Sequence, residues 1–197
     1  MSEIRARVSL KVGSKSDIDA EIISFTCFDK DNEHVAIVFK QADLNQDVPL
    51  VRVHSECLTG DVFHSSRCDC GEQLDEAIET MANVGGVILY MRQEGRGIGL
   101  YNKIDAYVLQ SQGLNTYQAN NELGFDDDQR SFEHAIAMLN AMDIDAIKLM
   151  TNNPRKAKAL SEHVDVQAIV NTQVHMKSDN KEYLAAKKQH GKHDISI

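Results

Sequence analysis

The 197-residue chain has only two prolines and eleven glycines, too few for long linkers or disordered arms. No apolar run approaches the roughly 20 residues that a membrane-crossing helix needs, so no membrane partner is expected. The opening stretch, MSEIRARVSL, lacks the apolar core of a secretory signal. A cytoplasmic location is therefore expected, where thiols stay reduced. Basic residues are also in the minority, 21 Lys and Arg against 30 Asp and Glu, for a net charge of −9. That balance excludes the basic stripe of a general nucleic-acid binder. It leaves room for a small anionic ligand, because local charge decides that case. Arg52, Arg92, Arg96, Arg130, Arg155 and Lys156 all sit in or beside polar, glycine-rich or turn-like stretches.

What is present is ordinary globular composition, 42% hydrophobic and 26% charged. HVAIVFK (34–40) and PLVRVHS (49–55) read as buried strands. Leu74, Ala77, Ile78, Met81 and Ala82 mark one face of a helix that Gly85-Gly86 ends. VILYM (87–91) is a short apolar strand, followed by a glycine-rich loop. A helix is expected from Leu100 to about Gln112, with Ile104, Val108 and Leu109 on or near one face. Another carries Phe132, Ala135, Ile136 and Leu139. DAIKLMT (145–151) is a strand, residues 155–162 a helix and VQAIV (166–170) a strand. This alternation predicts an α/β fold, a mixed central sheet flanked by helices. A single domain over 1–197 is expected: a β-rich start (1–55), an α/β body (56–172), and a C-terminal helix and tail (173–197) that frays.

Three of the four cysteines fall in CLTGDVFHSSRCDCG: Cys57, Cys68 and Cys70. In a reducing compartment such a cluster reads first as a metal site. Three thiolates suit Zn²⁺, which takes soft sulfur in tetrahedral geometry. Cys27 lies in the strand-like SFTCFD, where a lone cysteine behaves as a small buried hydrophobe. The fourth position is then either open or filled by His54 or His64. An open position makes the site catalytic, because zinc lowers the pKa of its bound water. A closed one makes a structural knuckle. The spacing alone leaves both readings standing.

Three other stretches carry chemistry. RQEGRGIGL (92–100) joins a strand to a helix, where loop amides and a helix N-terminus favour an anion. Steric need alone also produces glycine-rich turns. In ELGFDDDQRSF (122–132) the aspartates complement a helix N-terminus, or Asp128 orients the guanidinium of Arg130. LMTNNPRKAKAL (149–160) ends a strand at Thr151 and begins a helix with Arg155 and Lys156, the place where open α/β sheets bind ligands.

Taken together, RVHSECLTGD, RCDCG, RQEGRGIGL, NKIDAYVLQ, ANNELGF, DQR and LMTNNPRK resemble the GTP cyclohydrolase II family, in the family's order and spacing, over roughly residues 34–190. The resemblance implies the first reaction of riboflavin synthesis. GTP and water give formate, pyrophosphate and 2,5-diamino-6-(5-phospho-ribosylamino)pyrimidin-4(3H)-one. It implies Cys57, Cys68 and Cys70 as ligands of one zinc ion with water in the fourth place. It implies GTP contacts at Arg52, Val53, His54, Ser55, Glu56, Gln73, Glu94, Gly95, Arg96, Thr116, Thr151 and Lys156. A carboxylate such as Glu94 suits guanine's N1–H and exocyclic amine. Tyr107 matches a tyrosine near the ring-opening site, although its place beside Val108 also fits a core-facing aromatic.

Asp128 and Arg130 correspond to the pair assigned to phosphate chemistry. The family proposal makes Arg130 a nucleophile activated by Asp128. Arginine stays protonated, and stabilising charge on the transferring phosphoryl group asks less of it. The resemblance further implies Mg²⁺ with the triphosphate and a homodimer. With no fused dihydroxybutanone phosphate synthase domain, a monofunctional chain is expected. VGSKSDIDAEIISF (12–25) departs from the family's usual N-terminal pattern. Two alternatives are an enzyme that stops at the formamide or at GMP, and a zinc-stabilised module that binds GTP without turnover. Tyr107 argues against the first, and retention of Tyr107, Asp128 and Arg130 argues against the second.

Overall fold

A computed structural model describes residues 3–26, 28, 30, 32–39, 48–189 and 191–195. Cys27 lies outside the described residues, as does Lys40 at the end of the expected strand 34–40. The fold is mixed α/β, built on a seven-stranded sheet. Its strands are β1 (Ile4–Val12), β2 (Ile18–Phe25), β3 (Val35–Phe39), β4 (Leu50–Ser55), β5 (Gly86–Met91), β6 (Ala146–Met150) and β7 (Asp165–Val170). They lie in the order β1-β2-β3-β5-β4-β6-β7. Pairing is antiparallel from β1 to β5 and parallel from β5 through β4 and β6 to β7. The β-rich start of the chain thus forms the antiparallel half.

The helices are α1 (Leu58–Asp61), α2 (Cys70–Val84), α3 (Leu100–Ser111), α4 (Thr116–Glu122), α5 (Glu133–Ala141), α6 (Pro154–Ser161) and α7 (Lys181–Gln189). They cover both faces of the parallel half. On one face Ala135, Met138 and Leu139 of α5 and Leu160 of α6 belong to the same core cluster as Val51, Val53, Leu89 and Leu149. On the other, Ala77 and Met81 of α2 cluster with Phe39, Ile88 and Met150. Strands covered on both sides read as continuous apolar runs, and GVILYM is one.

Two helices escaped the pattern reading. α1 is a single turn. α4 is short, but Asn115 caps it in a reciprocal box with Gln118, a signal the sequence does carry. α2 starts at Cys70, four residues before its apolar stripe. The stripe on α3 faces outward: Ile104 is 44% and Val108 54% exposed, while Lys103 and Ala106 are buried. The buried side of α3 looks onto a polar cleft, so its polar residues turn inward.

That cleft follows from strand register. β4 and β5 stay paired out to Ser55 opposite Met91. β4 and β6 pair only at Leu50 and Val51. Past Val51 the two strands part, at the point where the order of parallel strands reverses. Such a switch point opens a crevice at the carboxyl ends of the strands.

Candidate functional site

Side chains fill the gap between β4 and β6. Arg52 NH1 donates to the Met150 carbonyl at 3.5 Å, and Lys156 Nζ donates to the Val53 carbonyl at 2.7 Å. Val53 therefore contributes its backbone, since its side chain lies in the core. The other sixteen expected site residues after Arg52, and Arg52 itself, all line the one cleft. It also takes in Arg67, Asp69, Lys103, Tyr117, Tyr183, Lys187 and His193, which motif reading did not single out. The acidic chain concentrates cations here. Arg52, Arg67, Arg96, Lys103, Arg130, Arg155, Lys156 and Lys187 outnumber Glu56, Asp69, Glu94, Asp127 and Asp128.

At one end sit the three thiols. The Sγ atoms of Cys57, Cys68 and Cys70 all lie within 4.8 Å of one another. Cys57 and Cys68 are 3.7 Å apart. Zn–S bonds of about 2.3 Å in a tetrahedron put sulfurs about 3.8 Å apart, so this donor set fits zinc. Among the described residues no histidine joins the cluster. His54, offered by the sequence as a fourth ligand, stacks on Tyr90 and turns Nε2 to Asp61 at 3.1 Å. Burial pushes its pKa down and keeps the ring neutral. Asp61 also accepts from Tyr90 Oη at 2.9 Å and from the Cys57 amide at 3.0 Å, so it braces the loop that carries Cys57.

The thiols share their protons unequally. Hydrogen bonds from Cys68 and Cys70, joined by the charge of Lys103, pull the Cys57 thiol down. Its partnership with Cys57 pushes Cys68 up to about 11, and Cys70 rises too. One thiolate forms readily, and the next two ionise against its charge. A divalent cation removes that repulsion.

Lys103 is the main residue the motifs missed. Its ammonium lies 3.1 Å from Cys57 Sγ, 3.0 Å from Thr59 Oγ1 and 2.8 Å from Glu94 Oε1. Burial alone would lower its pKa, but the anionic neighbours outweigh that and raise it. Glu94 is held on three sides, by Lys103, the Gly95 amide and the Leu58 amide. Of the roughly four lone-pair directions of a carboxylate, one is left for a ligand. Gly95 and Arg96 both adopt left-handed backbone, with φ of 62° and 61°. For arginine this is an uncommon conformation, of the kind that clusters at functional sites. It lays the guanidinium over the Tyr117 ring, 4.7 Å from its centroid.

Tyr107 is half-buried beside Lys103 and Arg67, with the Arg67 guanidinium 4.9 Å from its ring centroid. It lines the cleft and not the apolar core. Burial raises its pKa, against the effect of Lys103 and Thr59.

Asp128 and Arg130 form a two-pronged pair, Nε to Oδ1 at 2.8 Å and NH2 to Oδ2 at 2.7 Å. Arg130 NH1 also donates to Ser55 Oγ at 3.2 Å. Burial opposes the charge on both groups. Their mutual attraction wins, holding Asp128 below the usual carboxylate range and Arg130 above its usual value. The sharper reading of the aspartate run is therefore the one the geometry favours.

Behind them, burial and the nearby charges of Arg130 and Arg52 push Lys156 well down. Lys156 and Arg52 make no ion pair among the described residues. Arg52 NH2 donates to Gln73 Oε1 at 2.9 Å, and Arg52 Nε and His54 Nδ1 are buried with no partner among the described residues. Thr116 opens α4, and Thr151 Oγ1 accepts from the Asn153 amide at 3.0 Å, so each turn presents polar groups to the cleft. Glu56, also in the cleft wall, pairs with Arg92 at 2.8 Å.

A sequence model of the family described as GTP cyclohydrolase II matches residues 6–173. A GTP cyclohydrolase-2 from Vibrio parahaemolyticus is 64% identical over 198 aligned positions, which span 100% of both chains. One from Vibrio vulnificus is 63% identical over the same span. One from Psychromonas ingrahamii is 57% identical over 196 positions, covering 99% of this chain and 98% of its own.

Proposed function

This chain belongs to the GTP cyclohydrolase II family, and from that premise we propose its reaction in full. It hydrolyses GTP to formate, pyrophosphate and 2,5-diamino-6-(5-phospho-ribosylamino)pyrimidin-4(3H)-one, using one zinc ion on Cys57, Cys68 and Cys70. One observation carries the reading. The three-sulfur cluster and the Asp128–Arg130 pair line the same cation-rich cleft. Opening a purine ring and cleaving a phosphoanhydride are different chemistries, and both must reach one nucleotide.

Zinc, when bound, supplies a Lewis acid that activates water for attack on the poorly electrophilic C8 of guanine. The chain's own residues do the rest. Arg130, fixed by Asp128, stabilises charge on the transferring phosphoryl group. Lys156, Arg52 and Arg96 supply further positive charge for the phosphates. Glu94, with one acceptor direction free, takes one N–H of guanine. Tyr107, beside the thiols, assists ring opening, which disfavours a reaction that stops at the formamide.

The proposal extends to Mg²⁺ arriving with the triphosphate, to a homodimer and to the cytoplasm. It rests there on the family resemblance and on three cysteines that are free in the structure. No helix among the described residues is long and apolar enough to cross a membrane.

The test is incubation with GTP, Zn²⁺ and Mg²⁺, following formate, pyrophosphate and the pyrimidine's absorbance together. All three products are expected in equal amounts. Cys68→Ser is expected to lose zinc and formate together. Arg130→Ala is expected to cut pyrophosphate release by about a thousandfold, the scale of a catalytic arginine on phosphate. Pyrophosphate without formate from the parent chain would favour the alternative that stops at the formamide or at GMP. A Cys68→Ser protein with full zinc and full formate would refute the metal assignment.

A further inference from the structure

The family match ends at residue 173, yet the cleft does not. Tyr183, Leu184, Lys187, Gly191, His193 and Ile195 all line it. This segment is tied down at both ends. At its start Ser66 Oγ donates to Asp179 Oδ2 at 2.6 Å, and Lys177 pairs with Glu72. Those contacts fasten it to the loop and helix that carry Cys68 and Cys70. At its end the Asp194 amide donates to the Asn152 carbonyl at 3.0 Å, and Ile195 is buried. Asn152 belongs to the turn between Thr151 and Lys156. The segment therefore bridges the thiol side of the cleft and the strand-end side.

Between these anchors two side chains stand among the cations of the cleft. Lys187 Nζ reaches Asp69 Oδ1 at 2.8 Å, and its ammonium sits 4.5 Å from the Tyr183 ring centroid. His193 lines the same cleft as Lys187, Lys156, Arg130 and Arg96. Lys187 and Arg130 already pair with Asp69 and Asp128, but Lys156 and Arg96 make no ion pair among the described residues, and the cleft's cations outnumber its carboxylates, so it can take an anion. A polyphosphate is the anion that the proposed substrate provides.

We propose that residues 181–189 and 191–195 form a strap that completes the triphosphate subsite, with Lys187 and His193 as further phosphate-contacting residues. This rests on the GTP reading above. Lys187 adds an ammonium donor, and the neutral imidazole of His193 adds one N–H. The family model's match stops at residue 173 and none of the motifs quoted above contains Lys187 or His193, so neither residue follows from a family motif.

The experiment is calorimetric binding to the zinc-loaded full chain of a GTP analogue with a methylene between the α- and β-phosphates, and of GMP. Lys187→Met and His193→Ala are expected to weaken the triphosphate by about tenfold each, the worth of a charged hydrogen bond, while GMP changes less than about twofold. Lys187→Arg keeps the charge and is expected to recover most of the loss. A purely structural role would weaken both ligands alike. Equal losses for the two nucleotides, or no loss for either, would overturn the strap while leaving the GTP reading intact. A parent chain that binds neither nucleotide would overturn both.

Discussion

Lys103 brings together three groups that no sequence spacing relates: the Cys57 thiol, Thr59 and the Glu94 carboxylate. Its side chain and that of Glu94 are only 11% and 10% exposed. Removing one member of a buried ion pair leaves the other uncompensated and costs about 3 kcal/mol. Lys103→Met is therefore expected to lower unfolding stability by about that amount in denaturant titrations. Adding Glu94→Gln is expected to restore part of it, because the stranded charge is gone. Additive losses in the double variant would show that the pair does not interact. The cluster of three thiols was legible at this scale because cysteine is rare and its spacing is chemical. Lys103 was not, because a lysine in NKIDAY looks like any solvated helix residue until the helix is seen to face a cleft.

Helices α1 and α2 meet through glycine. A Cβ on Gly60 would stand 2.9 Å from both Cys68 Sγ and Cys70 Cβ, and 3.2 Å from Cys57 Sγ. A Cβ on Gly71 would stand 2.4 Å from the Gly60 carbonyl oxygen. The two helices can present three sulfurs to one point only because nothing protrudes between them. Gly60→Ala is expected to spread the thiols and to reduce the zinc-to-protein ratio in elemental analysis. A full zinc complement in that variant would show that the cluster absorbs a methyl group. Strands and helices with a clear period, such as β5 and α5, were legible along the chain. α3 was legible as a helix and misleading as to its inner face. Its apolar residues Ile104 and Val108 mark the solvent side, since the element packs against polar groups.

Taken as a whole, the molecule carries a net charge of −9 and still gathers cations at one cleft. His193 records that field. Burial, reinforced by Lys187, Lys156, Arg130 and Arg96, pulls its pKa down to about 3. An undocked strap would restore the ordinary value of about 6.5. Between those two values the undocked form binds one more proton, so docking is complete above pH about 6.5 and weakens as pH falls below it. Amide exchange of residues 181–195, corrected for intrinsic rate, is expected to accelerate relative to the core between pH 7 and pH 5. His193→Ala is expected to remove that trend. A protection pattern independent of pH in the parent chain would show that the imbalance of charge is relieved another way.

The sequence by itself determined the strand and helix periods, the grouping of three cysteines, and the family, through motifs whose order is independent of any coordinates. Only the tertiary structure decided which side of α3 is buried, that β4 and β6 part beyond Val51 to open the cleft, and that Tyr183, Lys187 and His193 near the end of the chain line it. The physical reason is range. Periodicity and spacing are local properties of the chain, whereas the cleft is made by groups more than a hundred positions apart, such as Asp69 and Lys187.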